Sequence, residues 1–309
     1  MLKTTSRAAI SVLVTLSAFS VAAGAQAQNA PAPNNKVETV ATLPSSANTE
    51  NIGQGPDGSF YVTGLPDRVV YKITPNGRVE NLYTAPALSA FVGVASNNKD
   101  EIVLGVFQRP YQRPNSGPAG GPPQLDMSNV GSQALILDTK GKLKATINGQ
   151  DGQFFNGIAY AGNSSYLITD TASTSILRLD TAAKTIDPWF KDDLLARPNG
   201  IKVHNGWVYV ASVDKIYRVQ IDSNGRPKGG ANLFAQGVRT DDFSIAPDGS
   251  LYISSGMTMM KVSPKGEVTK FLDNVANGAS TWVTKDGKWL YWPTRGGDAP
   301  QRLLRVALK

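Results

Sequence analysis

The chain of 309 residues has no cysteine and one histidine, His204. Without thiols there is no disulfide framework, no thiolate nucleophile and no cysteine-ligated metal. One histidine cannot build a histidine-rich metal site, and a Ser-His-Asp triad would have to form around His204 alone. That residue lies in the turn sequence His204-Asn205-Gly206, between two strand-like segments. Long hydrophobic runs are scarce as well. The one apolar stretch, residues 8–24, is short and rich in small residues. It follows Lys3 and Arg7 and ends at Ala25-Gln26-Ala27. Those are the three parts of a secretory signal peptide, residues 1–27, and not of a membrane anchor. The expectation is an exported protein, periplasmic or secreted, with no membrane association after signal cleavage. Clustered positive charge is also missing. The formal +7 is spread without a Lys/Arg run, which reads as a solvated surface and speaks against nucleic acid as a partner.

Helical periodicity beyond a single turn is nearly absent. A repeat takes its place. In residues 197–219, RPNGIKVHNGWVYVASVDKIYRV, a polar residue is followed by a short strand, the Asn205-Gly206 turn, an aromatic-aliphatic strand, a second turn and a third strand. This is a three-stranded meander by its hairpin signals. Similar units open at Glu50, Val92, Asn156, Asn199, Asp241 and about Ala279. They recur about every 42 residues, except for a longer interval between Val92 and Asn156. A fourth strand-like segment follows each of the first five units. Four short strands in about 40–45 residues is the period of a propeller blade.

The sixth unit runs out after three strands, and residues 36–43 form a spare strand ahead of the first unit. Joining that N-terminal strand to the last blade closes the ring and removes an exposed edge. The expected fold is all-β, a six-bladed β-propeller of four-stranded antiparallel blades spanning residues 36–309, after a Pro/Ala/Asn-rich linker at 28–35. The long interval is explained by a Pro/Gly-rich insertion, residues 108–132, between the second and third strands of blade 2. In this topology it shares a face with the residues that open the innermost strands, so it is expected to act as a lid.

The residues that open the innermost strands converge on the central channel. Four of the six, Glu50, Asn156, Asn199 and Asp241, carry side-chain oxygens. Two carboxylates and two amides, without His or Cys, make a hard oxygen cage that suits calcium, with other divalent cations possible. The G-x-G-x-x-G match at Gly53–Gly58 leads into a hairpin, not a helix, and so fails the context of a dinucleotide site. Tyr61, Tyr166, Tyr209, Tyr252 and Tyr291 recur at one strand position, which marks them as inter-blade core.

The pattern resembles the senescence-marker-protein/gluconolactonase family of six-bladed propellers, and more distantly paraoxonases and diisopropyl-fluorophosphatase. Glu50 in ENIGQGPDGSFYVT, Asn156 in FNGIAY, Asn199 in PNGIKV and Asp241 in TDDFSIAPDGSLYIS fall on that family's metal-ligand positions in blades 1, 3, 4 and 5. The resemblance covers the whole mature chain. It implies metal-dependent hydrolysis of a lactone or related ester, with Asp241 also serving as general base. Because a cation-bound carboxylate is a weakened base, Asp242 and Asp170 are alternative candidates. Where sugar-lactone members place an Arg, this chain has Phe154, followed by Phe155. These aromatics suggest an apolar pocket wall, and Arg295, at the end of the second strand of blade 6, is a candidate contact for an acidic or carbonyl substrate. The expectation is therefore a monomeric calcium-dependent hydrolase of a small molecule. The alternative is a non-catalytic propeller that binds a ligand or protein and keeps calcium for rigidity.

Overall fold

The structure, a computed structural model, describes residues 36–65, 67–86, 89–108, 131–296 and 300–308. The signal peptide and linker expected at residues 1–35 lie outside the described residues, as do residues 109–130 of the insertion. The described chain forms six four-stranded antiparallel sheets. Each is one blade, with strands A to D running outward from the channel. The innermost strands are Thr49–Gln54, Ser89–Ser96, Phe155–Gly162, Pro198–His204, Phe243–Ile245 and Trp282–Val283. Among the described residues there is no α-helix, only a 3-10 turn at Ser45–Ala47.

The sequence folds this way because each blade alternates. Its strands carry apolar residues on both faces, and either face is covered only by the next blade. The core accordingly divides into six clusters, one in each inter-blade interface. The recurring tyrosines each enter a different cluster: Tyr291 between blades 6 and 1, Tyr61 between 1 and 2, Tyr166 between 2 and 3, Tyr209 between 4 and 5, and Tyr252 between 5 and 6. Each buried Leu, Ile or Val in these interfaces contributes about 1.5–3 kcal/mol relative to exposure. The A–B turn of blade 4 is tight. Asn205 and Gly206 both have positive φ, at 46° and 76°, the conformation that Asn-Gly hairpins favour. His204 sits there beside the Asn205 amide, at 2.9 Å, at the end of the blade opposite the residues that open its inner strand.

The ring closes as the spare strand requires. Glu38–Thr42 pairs antiparallel with Arg302–Ala307, so blade 6 takes its outermost strand from the N-terminal side and its other three from the C-terminal side. Arg305 Nη2 lies 2.8 Å from Glu38 Oε2 and its guanidinium stacks over Trp289, so a cation bridges the two parts of the closing sheet. Thr49 of blade 1 adds a hydroxyl bond to the Thr294 carbonyl of blade 6, at 2.7 Å. A chain lacking residues 1–42 would leave Arg302–Ala307 as an unpaired edge. Its melting temperature should fall by about 10 °C or more and it should self-associate, measured by scanning calorimetry and light scattering; an unchanged melting temperature would contradict the closure.

Candidate active site

The innermost strands are not regular where they open. In blades 1 to 4 the pairing of strand A with strand B slips at the same place, between Thr49 and Ile52, Phe91 and Val94, Phe155 and Ile158, and Pro198 and Ile201. Each slip is a β-bulge, a device that re-aims a side chain without ending the strand. The residues inside the bulges are Glu50-Asn51, Val92-Gly93, Asn156-Gly157 and Asn199-Gly200. The Asn-Gly pairs of blades 3 and 4 are thus bulges in the sheet and not hairpin turns.

The second residue of the bulge must be small in three of these blades. A Cβ on Gly93 would strike the Asn156 carbonyl, one on Gly157 the Asn199 carbonyl, and one on Gly200 the Asp242 carboxylate. Neighbouring blades therefore meet at the channel backbone to backbone. Threonine hydroxyls of strand B tie the ring together. Thr63 accepts the Asn51 amide and donates to the Val92 carbonyl of the next blade. Thr169 does the same for Gly157 and the Asn199 carbonyl. Further round, the Gly200 amide donates to the Asp241 carbonyl at 2.9 Å and the Asp242 amide to the Ala279 carbonyl at 3.0 Å.

On this scaffold the predicted residues are placed as follows. Glu50 and Asp241, from blades 1 and 5, reach the same guanidinium: Arg295 Nη1 lies 2.7 Å from Glu50 Oε2 and 3.0 Å from Asp241 Oδ2. The Asn199 amide donates to Asp241 Oδ1 at 2.6 Å. Asn156 is linked less directly. Its amide donates to the Thr171 hydroxyl at 3.1 Å, which donates to the Pro198 carbonyl beside Asn199. Four blades plus Arg295 of blade 6 thus contribute to one cluster.

The remaining candidates are held elsewhere. Both oxygens of Asp242 accept from Lys202 Nζ, at 2.6 and 2.8 Å, and Oδ2 also accepts from the Ser280 hydroxyl at 2.8 Å. Asp170 is buried and accepts the Phe154 amide at 2.8 Å, the Ala172 amide and the Ser173 hydroxyl, so it pins the chain at the end of strand B in blade 3. Phe155 is fully buried in the interface between blades 2 and 3. Phe154 stacks face to face on Phe107, with ring centroids 3.8 Å apart. Phe107 is the second-last residue of the strand that leads into the insertion, so this aromatic pair stands on the site face.

Lys202 escaped the sequence reading, as did the contact between Ser280 and Asp242. A lysine on an inner strand, in a repeat unit that also carries Asp241-Asp242 on the neighbouring blade, is the signal that could have found the pair. Its ammonium also lies 5.6 Å from the Phe243 ring centre. Lys202 neutralises Asp242 and leaves Glu50 and Asp241 to Arg295.

Charge governs the chemistry here. Burial pushes the Glu50 carboxyl up to about 8; Arg295 opposes the shift, while Asp241 and Asp242 add to it. Burial also raises Asp241, against the pull of Arg295 and Asn199. Glu50 Oε2 is buried and, although close to Arg295, makes no hydrogen bond. A buried carboxylate oxygen with only an ion-pair contact is a place where a cation fits, and the surrounding donors are hard oxygens. Among the described residues no three His, Cys, Asp or Glu side chains are arranged to hold a metal. A cation here would therefore have to draw on the Asn156 and Asn199 amides as well as the two carboxylates.

No protein-family model matches the sequence, and no curated protein matches it. Solved structures do match. A gluconolactonase from Xanthomonas campestris is 15% identical, with a TM-score of 0.66 over 90% of this chain and 91% of that one. A luciferin-regenerating enzyme is 12% identical, with a TM-score of 0.63 over 88% of this chain and 95% of that one. An auxiliary nutrient binding protein from Bacteroides ovatus is 14% identical, with a TM-score of 0.64 over 89% of this chain and 76% of that one. The fold is that of the gluconolactonase-like propellers. Among these neighbours it carries both enzymes and a binding protein, so what the chain does must be argued from its site.

The buried carboxyl of Glu50 makes a prediction about stability. The folded protein keeps a proton on Glu50 at pH values where the unfolded chain has lost it. The stability this group contributes is present at low pH and is lost as the pH rises toward about 8. In the presence of a chelator the melting temperature should fall between about pH 5 and pH 8. Glu50→Gln, neutral at every pH, should flatten that fall; calorimetry on both proteins across the range is the check.

Proposed function

We propose that this chain is an exported hydrolase of a lactone or related ester that works with a divalent cation, calcium in the first instance, at the mouth of the central channel. The observation that carries the reading is the meeting of two carboxylates, Glu50 and Asp241, from blades 1 and 5 on one positive charge. Two carboxylates meet in a desolvated place only where a cation or a retained proton compensates their charge, and hard oxygen donors beside them suit a cation. The likeness in fold to a gluconolactonase supports the choice of substrate class.

Glu50, Asn156, Asn199 and Asp241 would hold the cation, which supplies positive charge that polarises a substrate carbonyl. The chain's own residues do the rest. Asp241 is the more open of the two carboxylates, with 37% of its side chain exposed against 11% for Glu50. It is therefore the group placed to take a proton from an attacking water. Asp242 and Asp170 are less available, since both are buried and held by Lys202 and Ser280 and by the blade 3 backbone. The Phe154–Phe107 stack forms an apolar wall on the same face. It favours a substrate with a hydrocarbon or aryl part over a polyol. The protein would act as a monomer on a small molecule, in the periplasm or outside the cell.

A second reading is a propeller that binds a ligand without turning it over and keeps the cation for rigidity. The nutrient binding protein among the structural neighbours favours it. Hydrolysis of a panel of lactones and aryl esters separates the two, run with calcium, after chelation and with Asp241→Ala alongside. The hydrolase reading expects activity that is lost on chelation, restored by calcium and lowered by on the order of 100-fold or more in Asp241→Ala. No turnover across the panel, with calcium still raising the melting temperature, would favour the binding protein instead.

A further inference from the structure

The place between Glu50 and Asp241 already holds a positive charge. Arg295 follows strand B of blade 6, and its backbone is fixed there, its amide donating to the Asn277 carbonyl at 2.8 Å. From that anchor the side chain reaches across the channel mouth. A single nitrogen, Nη1, serves both carboxylates, at 2.7 and 3.0 Å. Arginine and carboxylate pair most strongly when two nitrogens face two oxygens of one partner. Here one nitrogen is shared between two partners: it donates a hydrogen bond to Asp241 Oδ2 at 3.0 Å, while Glu50 Oε2 receives none. The contact with Glu50 is one of charge. The arginine side chain is 29% exposed, so its outer part already borders solvent. The charge of Asp242 is compensated separately, because Lys202 takes both of its oxygens.

We propose that Arg295 is the resident cation of this site: it holds the two carboxylates together when no metal is bound, and a divalent cation enters only by displacing its guanidinium. The inference rests on the cation site proposed above and adds a competitor to it. Two positive charges cannot both occupy the gap between Glu50 and Asp241, because at such distances they repel strongly in a partly buried setting. The protein therefore needs no metal to keep its fold, and it binds one more weakly than its oxygen donors alone would allow. A displaced Arg295 stays on its anchored backbone at the channel mouth. It is then free to meet the oxygen of a substrate, the role its position in the sequence suggests.

The test is calorimetric titration of the purified protein with calcium chloride, together with melting temperatures in chelator and in calcium. Wild type, Arg295→Met, Arg295→Lys and the double variant Arg295→Met/Asp241→Asn are compared. Met keeps the length of the aliphatic stem and removes the charge. Arg295→Met should bind calcium about tenfold tighter or more than wild type. Its melting temperature should drop in chelator and recover in calcium, while that of wild type should change little. Arg295→Lys, which keeps the charge on a shorter reach, should fall between the two. The double variant, having lost one ligand carboxylate, should lose the gain.

An Arg295→Met protein that binds calcium no tighter than wild type overturns the inference and leaves the cation site standing. If that variant does not fold in chelator, Arg295→Lys decides in the same way, and affinity no greater than wild type overturns the inference. Calcium that produces neither heat nor a melting shift in any of the proteins removes the cation site and the inference together.

Discussion

Burial of like charge is the constraint on which the site depends. Two carboxylates are carried by different blades to the mouth of a channel lined by backbone, and neither can stay ionised there without a positive partner. The fold answers with two cations. Arg295 faces Glu50 and Asp241, and Lys202 faces Asp242. Each pair joins residues from different blades, so the charges are neutralised across the ring and not within one sheet. The channel is where six similar units stop being similar, because only there must all of them fit around the same axis.

The backbone makes that convergence possible. A regular strand would point its side chains into the inter-blade interfaces, where the apolar clusters lie. The bulge at the opening of the first four inner strands turns one residue of each toward the axis, and the glycines behind three of the bulges let adjacent blades close to backbone contact. The threonine hydroxyls of strand B then pass hydrogen bonds from one blade to the next. Position, and not residue type alone, separates Asn156 and Asn199 from the many asparagines that occupy turns.

Much of this was legible in the sequence, and the reason is periodicity. A blade repeats its turn residues and its strand aromatics, so strand count, blade count and the closing role of residues 36–43 could be read from spacing, and the six sheets agree. The convergence of Glu50, Asn199 and Asp241 followed from the same alignment of repeats. What could not be read was whatever breaks the repeat. Arg295 comes from strand B of one blade only, so no comparison between units points to its contact with Glu50, 245 residues away. The Lys202–Asp242–Ser280 set is hidden for the same reason, since its members stand on three blades. The bulges were concealed by chemistry: Asn-Gly is also the favoured hairpin pair, and at Asn205-Gly206 it is one.

The closing sheet also orders events in time. Five blades are built from contiguous chain, and each can pair its strands as soon as its own residues are available. Blade 6 must wait, because Glu38–Thr42 finds its partner only when Arg302–Ala307 has arrived. This pairing spans almost the whole described chain, so its loop-closure cost is met late and the local hairpins form first. Until then the first segment of the domain is a strand without a sheet and blade 1 has one face bare. The interface between blades 6 and 1, with Phe60, Tyr71, Tyr291 and Leu303, therefore acts as the latch of the ring, and a partly made chain carries its apolar surface there until the final residues dock.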